Sequence, residues 1–506
     1  MIRISALLVL ILVGRAQAQP PGGGPYDPQR VTAVYAEALA FMAPRILDPV
    51  PISQLTVWGL RGLTALDPAL SAGMVDGRLQ LGTQTRILFE MPAPKDETPF
   101  AWASAAAVMA GAGVGVSAPV RRAGTQGVIQ SFFDEMFNHL DPYSRYVGPD
   151  EAGEDRANRA GVAGLGISLT RHGRAILVKS VIRDGPASIA GIRPGDAILV
   201  VDGQSTRGQD ARTVAALLAG PEDSVLHLIW RGHDGKTRDA RLSRAMVPPE
   251  TVFAERMGDV LVVRITGFST TTDSHLAHTL QDGLAGTQPI AGIVLDLRGN
   301  RGGLLREAVT VSDIFLPAGL VAMTAGRAPE SNHIWRSTAG ELAEGVPVVV
   351  MVDGRSASSA EILAAALSDR GRAVVLGSAT LGKGLVQTID PLPDGGELFV
   401  TWSRVLAPRG WPIQSLGVLP QVCTSRGHDA LRQQLAALAM GIQPMAESIR
   451  LHEAARAPLT PAQVLTIRNA CPAAGARESD LGAARVLIRN PAAYAAALLP
   501  PMADQP

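Results

Sequence analysis

The sequence has no excess of charge of either sign, few cysteines and few long hydrophobic runs. Its 46 Lys and Arg residues balance its 46 Asp and Glu residues. This balance argues against a protein that binds nucleic acid or an anionic membrane surface, because both partners need a basic face. The nine His residues form no HExxH motif or cluster, and no CxxC motif occurs, so a zinc site is disfavoured. We expect no metal and no cofactor.

What is present is ample material for folded domains. The chain has 506 residues, of which 46% are hydrophobic and 18% are charged. A chain of this length contains about three to four domains as a soft prior. The 53 Gly and 36 Pro residues stay below the share that marks low-complexity sequence. We therefore expect a neutral, folded protein with several domains.

The first residues have the pattern of an export signal. A short segment ending in Arg3 precedes an apolar run from Ile4 to Val13, and Ala16-Gln17-Ala18 follows in the small-x-small form of a cleavage site. We predict a signal peptide over residues 1–18 and export to the periplasm or the medium. The apolar run is about half the ~20 residues that a membrane span needs, so an uncleaved anchor is the weaker interpretation.

A second apolar stretch, Ala101 to Val120, resembles a membrane span by its lack of charge. Alanine and glycine contribute little to membrane partition, and two serines interrupt the stretch. We therefore predict a buried helical hairpin here and no stable membrane span.

The two cysteines, Cys423 and Cys471, are the only ones in the chain. In an exported protein they are expected to pair, and a disulfide would fix a C-terminal tail to the preceding domain. A reactive or metal-binding thiol is the less favoured alternative.

Hydrophobic periodicity divides the rest of the chain into four parts. They are a helical region over residues 19–157, a β-rich module over 158–246, an α/β core over 247–422, and a helical tail over 423–506. A polar run over 148–161, at the boundary between the first two parts, is predicted to be a linker.

The β-rich module contains a specific motif. Gly191-Ile192-Arg193-Pro194-Gly195-Asp196 precedes a strand that ends in Asp202-Gly203. This pattern resembles a PDZ domain of the bacterial protease type. The resemblance implies that the backbone N–H groups of one loop capture the terminal carboxylate of a peptide, which is added as an extra strand. That loop would be formed by Gly164, Leu165, Gly166 and Ile167. The alternative is that its glycines only form a turn.

In the α/β core, a buried strand leads into the glycine-rich corner Gly299-Asn300-Arg301-Gly302-Gly303. Such a corner offers unpaired N–H groups to a phosphate or to an oxyanion. It lacks the Gly-Lys-Ser/Thr of a P-loop. A plain strand-to-helix turn is an equal alternative for this corner taken alone.

The next strand ends in a serine-rich turn, Ser356-Ala357-Ser358-Ser359, that opens a helix. A serine at such a turn is exposed near the positive end of the helix dipole, where an acyl-transfer nucleophile can react. Helix capping is the alternative role for these serines. Lys383, which lies between two glycines after the following strand, favours catalysis, because a buried neutral lysine can act as a general base.

Together these segments resemble the carboxyl-terminal processing, or tail-specific, proteases over about Leu140 to Gln421. In that family the nucleophile lies three residues before a glutamate, the lysine 25 residues after the nucleophile, and a glutamine four residues further. The motifs are Leu140-Asp141-Pro142-Tyr143-Ser144, Asp296-Leu297-Arg298, Gly302-Gly303, Ser356-Ala357-Ser358-Ser359-Ala360-Glu361, Gly382-Lys383-Gly384, Gln387, Ala407-Pro408-Arg409-Gly410 and Gly417-Val418-Leu419-Pro420. These spacings select Ser358, Lys383 and Gln387.

The resemblance implies a multi-domain α/β fold with a core like that of the crotonases and Clp proteases, a PDZ module, and helical segments at both ends. It implies a serine endopeptidase in which Lys383 activates Ser358 and Gln387 orients Lys383. Ser359 and either Gly302 or Gly303 would stabilise the oxyanion. Glu361 is read as a structural residue in the first turn of its helix.

The sequence departs from the family pattern at three places: Arg301 replaces a proline, Leu381 replaces an aromatic residue, and Ser359-Ala360 replaces Ala-Ser. None of these changes removes a reacting group.

Two other functions remain open. One is a PDZ protein that captures tails but has a silent protease core, and the other is a small-molecule enzyme of the crotonase type. The expected partners are proteins or peptides with free C-termini. The flanking helical segments could restrict access, form a homo-oligomer or bind an adaptor, and the sequence does not choose among these roles.

Overall fold

The computed structural model describes residues 25–286, 288–338 and 340–502, so the predicted signal peptide lies outside the described residues. The chain divides into two compact units. The first contains Met1–Gly148 with Ile389–Val400, and the second contains Pro149–Thr388 with Thr401–Pro506.

The first unit is a helical layer with a small sheet. Its elements are α1 (Pro28–Arg45), α2 (Ile52–Leu60), α3 (Gly62–Leu66), β1 (Ser71–Val75), β2 (Arg78–Gly82), β3 (Ile87–Pro92), α4 (Pro99–Val116), α5 (Ala118–Phe137) and β4 (Arg145–Val147). The apolar faces of the helices form one core, in which Tyr35 stacks on Phe132 at a ring-centroid distance of 3.9 Å. Residues 397–399 pair with β4.

The prediction of a helical N-terminal region is wrong over residues 71–92. Strands β1, β2 and β3 form an antiparallel sheet there. The turn between β1 and β2 is Asp76-Gly77, with φ of 48° and 70°. Asp-Gly favours the tight hairpin turn that requires positive φ at both central residues, which explains why a hairpin forms here.

The apolar stretch from Ala101 to Val120 forms most of α4, and the turn to α5 lies at Ser117, whose hydroxyl accepts a hydrogen bond from Val120 N–H at 3.2 Å. By length and composition α4 is apolar enough to cross a membrane, and 44% of it is buried within the protein. Residues along α4 such as Trp102 and Met109 belong to the core of the first unit.

The second unit begins with a helix and the β-rich module. The elements are α6 (Pro149–Ala160), β5 (Val162–Gly164), β6 (Ile167–His172), β7 (Ala175–Val181), α7 (Pro186–Ile189), β8 (Ala197–Val201), β9 (Gln204–Ser205), α8 (Ala211–Leu218), β10 (Val225–Arg231), β11 (Thr237–Ser243) and β12 (Ala245–Val247). The polar run predicted as a linker is therefore mostly the helix α6. The main sheet has the order β11-β10-β8-β7-β6, so β6 lies at its edge.

The α/β core follows in the same unit, apart from residues Ile389–Val400, which belong to the first unit. Its elements are β13 (Val252–Met257), β14 (Val260–Ile265), α9 (Thr272–Leu284), β15 (Gly292–Asp296), α10 (Leu305–Asp313), β16 (Gly319–Gly326), β17 (His333–Ser337), β18 (Val348–Val352), α11 (Ser359–Asp369), β19 (Ala373–Gly377), β20 (Leu385–Pro391), β21 (Glu397–Leu406) and β22 (Val422–Cys423). The sheet order is β13-β14-β15-β18-β19-β22, and every pairing from β14 onward is parallel.

Both faces of this sheet are buried, as a parallel sheet of continuous apolar strands requires. Alternate residues of β18 enter different cores: Val348 and Val350 pack with α10 and α11, whereas Val349 and Met351 pack on the opposite face. That opposite face is covered by helices of the C-terminal tail. The tail helices are α12 (His428–Ala439), α13 (Ala446–Ala454), α14 (Pro461–Arg468), α15 (Ser479–Ile488) and α16 (Pro491–Ala497).

The C-terminal tail is joined covalently to the sheet. Cys423, in the edge strand β22, forms a disulfide with Cys471. The predicted boundary at residue 423 therefore falls inside a strand of the core sheet, and the tail completes the core rather than following it.

Candidate active site and peptide groove

The candidate nucleophile lies where a central strand meets a helix. The strand β18 ends at Val352, and Ser358 caps the N-terminus of α11 with φ of 57° and ψ of −118°. Positive φ is rare for a residue with a side chain, and such backbone strain concentrates at functional sites. The residue is half-buried. This is the strand-turn-helix geometry in which a serine hydroxyl projects from the end of a sheet.

Glu361 holds the serine turn and the lysine segment together. One carboxylate oxygen, Oε2, accepts hydrogen bonds from the N–H of Ser358 at 2.8 Å and of Lys383 at 2.9 Å. The other oxygen accepts from Gly382 N–H at 2.7 Å and from the Thr380 hydroxyl. Burial raises the pKa of Glu361, and these four donors oppose that rise by stabilising the carboxylate.

The sequence analysis missed this role, because it read Glu361 only as a helix-dipole partner. The three-residue spacing from Ser358 does contain a signal, since a glutamate at the third helical position can accept from the N–H of the cap residue. The bonds to the segment 380–383 depend on the tertiary structure and have no signal in the spacing.

A buried aspartate connects the glycine-rich corner to the serine turn. Asp353 Oδ1 accepts from Gly299 N–H at 2.9 Å and from Ser356 N–H at 3.0 Å. The backbone of the corner is also bonded directly to the turn, since Ala357 N–H donates to Asn300 O at 2.9 Å. The corner and the turn are therefore one rigid structure.

The corner approaches Ser358 so closely that a side chain is excluded. A Cβ added to Gly302, whose φ is 96°, would lie 2.7 Å from the Cβ of Ser358. The N–H of Gly302 already donates to Asn300 Oδ1 at 2.8 Å. Within the described residues, neither Gly303 N–H nor Ser359 N–H has an acceptor, and the Ser359 hydroxyl donates to Gly303 O at 3.0 Å. Two N–H donors beside the serine are the arrangement that an oxyanion needs.

Lys383 is flanked in sequence by two glycines, Gly382 and Gly384, whose backbone is closely packed against neighbouring segments. A Cβ on Gly384 would lie 2.2 Å from the backbone nitrogen of Gln414, and Gly382 has φ of 86°. Lys383 itself is half-buried. The two glycines are therefore required by close backbone packing.

Gln387 lies on β20, two residues beyond the start of that strand. Its amide nitrogen donates to Leu385 O at 3.1 Å and to the Thr401 hydroxyl at 3.0 Å. These bonds fix the amide between neighbouring strands. The orientation of Lys383 by Gln387 stays a prediction.

The loop predicted to capture a carboxylate lies at the mouth of a second groove. A cavity of about 430 Å³ is lined by Gly164, Leu165, Gly166 and Ile167 and, opposite them, by α8. Among the described residues, no acceptor is bonded to the N–H of Leu165 or of Gly166. Because β6 is also the edge strand of the sheet, the groove offers both free N–H donors and an open strand edge.

Comparisons with known proteins identify both regions. The family model described as Peptidase family S41 matches residues 259–424, and a PDZ domain model matches residues 177–232. The chain is 36% identical over 303 residues to the carboxy-terminal-processing protease of Bartonella bacilliformis, covering 59% of this chain and 69% of that protein. It is 33% identical to the carboxy-terminal processing protease CtpA of Bacillus subtilis, covering 59% of this chain and 62% of that one.

Among solved structures, the photosystem II D1 C-terminal processing protease aligns with 26% identity and a TM-score of 0.36. The alignment covers 75% of this chain and 97% of that chain.

Proposed function

Because the chain belongs to the carboxy-terminal-processing proteases of peptidase family S41, we propose that it is a serine endopeptidase that uses Ser358 and Lys383. The observation that carries this proposal is the shared oxygen of Glu361, to which the N–H groups of both residues donate within 2.9 Å. One buried carboxylate thus holds the backbones of two residues that are 25 positions apart in sequence, which supports a reaction in which their side chains act together.

The reaction proceeds through an acyl-enzyme. Neutral Lys383 accepts the proton of the Ser358 hydroxyl, and the alkoxide attacks the carbonyl carbon of a peptide bond. The negative charge on the carbonyl oxygen is stabilised by the N–H groups of Gly303 and Ser359. Lys383 then protonates the departing amine, and water hydrolyses the ester on Ser358. Gly303 takes this role instead of Gly302, whose N–H is bonded to Asn300.

Substrates are recognised by their free C-termini in the PDZ groove. The terminal carboxylate accepts hydrogen bonds from Leu165 N–H and Gly166 N–H, and the peptide backbone pairs with the open edge of β6. The wall formed by α8 contributes the apolar side chain of Leu218 and the methyl group of Ala215, which suits an apolar terminal residue. We further propose, from the predicted signal peptide, that the protein acts after export.

The test is cleavage of an unfolded protein with an apolar C-terminus. The mature chain should cleave it, Ser358→Ala and Lys383→Ala should each abolish cleavage, and Lys236→Ala, which changes an exposed lysine, should have no effect. Amidation of the substrate C-terminus should lower the rate. Tail binding by the wild type without any cleavage, across several unfolded substrates, would instead support a binding protein with a silent core.

A further inference from the structure

A cavity of about 690 Å³ lies beside the segment of Lys383 and has no part in the reaction described above. One wall comes from the α/β core and includes Leu381, Gln414 and Ser415. The opposite wall comes from the C-terminal tail and includes Leu459, Val464 and Leu465. The tail therefore builds half of a concave site that the protease core alone would leave open.

The core wall is bonded directly to the segments that carry the reacting residues. Leu381 N–H donates to Ser356 O at 3.0 Å, two residues before Ser358, and Leu381 itself lies two residues before Lys383. The N–H of Ser415 donates to Gly382 O at 2.9 Å. Gly384 N–H donates to Gln414 Oε1 at 3.0 Å. A polypeptide positioned between Ser358 and Lys383 would thus reach this cavity within a few residues of its scissile bond.

The lining is suited to apolar side chains. Leu381 is 49% exposed and Leu465 is 61% exposed, so the rim presents apolar surface that burial by a ligand would stabilise. The volume lies in the range of about 300–1,000 Å³ that is usual for ligand pockets.

The charge of the lining is of one sign. Among its residues are two arginines, Arg404 and Arg468, and no carboxylate. Arg468 is held in place by Leu416 O at 2.7 Å and by Thr380 O at 2.9 Å. A lysine or arginine side chain entering this cavity would meet like charge and would find no acidic partner.

We propose that the cavity between the Lys383 segment and the tail is a substrate subsite, which takes an apolar stretch of the unfolded polypeptide beside the scissile bond and excludes basic side chains. The inference rests on the proposed function, because it assigns part of the same substrate to a surface that no reacting group occupies. It also gives the C-terminal tail a role in specificity.

The first test changes the charge of the tail wall. Leu465→Glu places a carboxylate in the lining, and Thr466→Glu places the same group on the next residue of α14, which is exposed and does not line the cavity. Cleavage sites in a library of unfolded peptides are mapped by mass spectrometry. We define the preference ratio as kcat/KM at sites with apolar residues divided by kcat/KM at sites with basic residues. In Leu465→Glu, this ratio should fall by about tenfold or more. Thr466→Glu should leave the ratio unchanged. An unchanged ratio in both variants would overturn the proposal.

The second test does not depend on cleavage. An apolar fluorescent peptide with an amidated C-terminus, which the PDZ groove cannot capture through a carboxylate, is titrated into the Ser358→Ala protein. Its Kd should rise by about fivefold or more when Leu465→Glu is added and should not change with Thr466→Glu. If the wild type never cleaves but Leu465→Glu weakens peptide binding, the proposed function is contradicted and the subsite is retained. Cleavage and binding that are both insensitive to Leu465 would retain the function and refute the subsite.

Discussion

Replacing Glu361 by glutamine should separate the serine turn from the lysine segment while keeping the size of the side chain. Each carboxylate oxygen accepts two hydrogen bonds, so the amide NH₂ must face at least one backbone N–H whichever way the side chain turns. In the less costly orientation it faces Gly382 N–H and the Thr380 hydroxyl, and the hydroxyl can rotate to accept from it. An unsatisfied buried donor costs about 1–3 kcal/mol, so the loss of stability in that orientation should also be about 1–3 kcal/mol. A folded domain with typical stability of about 5–15 kcal/mol survives such a loss.

The effect on catalysis should be larger than the effect on substrate affinity. The hydrogen bonds of the Glu361 carboxylate to Ser358 and Lys383 go to their backbone N–H groups, so it positions the backbone at both residues. Misplacement of reacting groups by about 1 Å can lower the rate about 100-fold. We expect kcat to fall by about that factor with little change in KM. The control is Glu307→Gln, at another buried glutamate, which should leave kcat unchanged.

The assay is steady-state cleavage of an unfolded substrate, with thermal unfolding measured on the same samples. If Glu361→Gln is folded and retains kcat within about twofold of the wild type, the shared carboxylate does not position the reacting residues and this reasoning is refuted.

Three further predictions address the corner, the tail and pH. Gly302→Ala places a methyl group 2.7 Å from the Cβ of Ser358 at a φ of 96°, so single-turnover cleavage should slow by about 100-fold; a wild-type rate would contradict the packing. Replacing both Cys423 and Cys471 by serine opens a disulfide of sequence separation 48, and urea unfolding should show a loss of about 4 kcal/mol; an unchanged midpoint would show that the tail is held by packing alone. Burial raises the pKa of Asp369 from its usual value to about 7, so the folded state binds this proton more tightly than the unfolded state. The free energy of unfolding should therefore fall by at most about 4 kcal/mol as the pH rises from about 4 to about 7. If the stability of Asp369→Asn depends on pH in the same way as that of the wild type, this assignment is contradicted.

Local patterns predicted the core elements closely. The β-rich module predicted over residues 158–246 contains β5 to β12, and the strands predicted before the glycine-rich corner and before the serine turn are β15 and β18. Continuous apolar runs in a parallel sheet leave little ambiguity about which segments are buried.

The errors have two physical origins. The hairpin at Asp76-Gly77 was missed because its strands are short and mixed with polar residues, although the Asp-Gly turn was a readable signal. The helix at Pro149–Ala160 was interpreted as a linker because it is charged along most of its surface, and Ala152 is the residue of this helix that is buried.

The candidate site was predictable in its residue types and not in its connections. The spacing of Ser358, Lys383 and the glycine pair follows from family resemblance. The bonds from Glu361 to the lysine segment join positions 21 and 22 residues apart, and the contact of the tail with the same region spans still longer separations. No local pattern encodes such contacts, because they depend on how the sheet orders its strands.

The central claim is that Ser358 forms an acyl-enzyme with Lys383 as the base. It is tested most directly by acid-quenching the mature protein during turnover of a peptide ester and locating the adduct by mass spectrometry. The account predicts one acyl group, on Ser358, that disappears in Lys383→Ala. An acyl group on another residue, or full acylation of Ser358 in the Lys383→Ala variant, would contradict it.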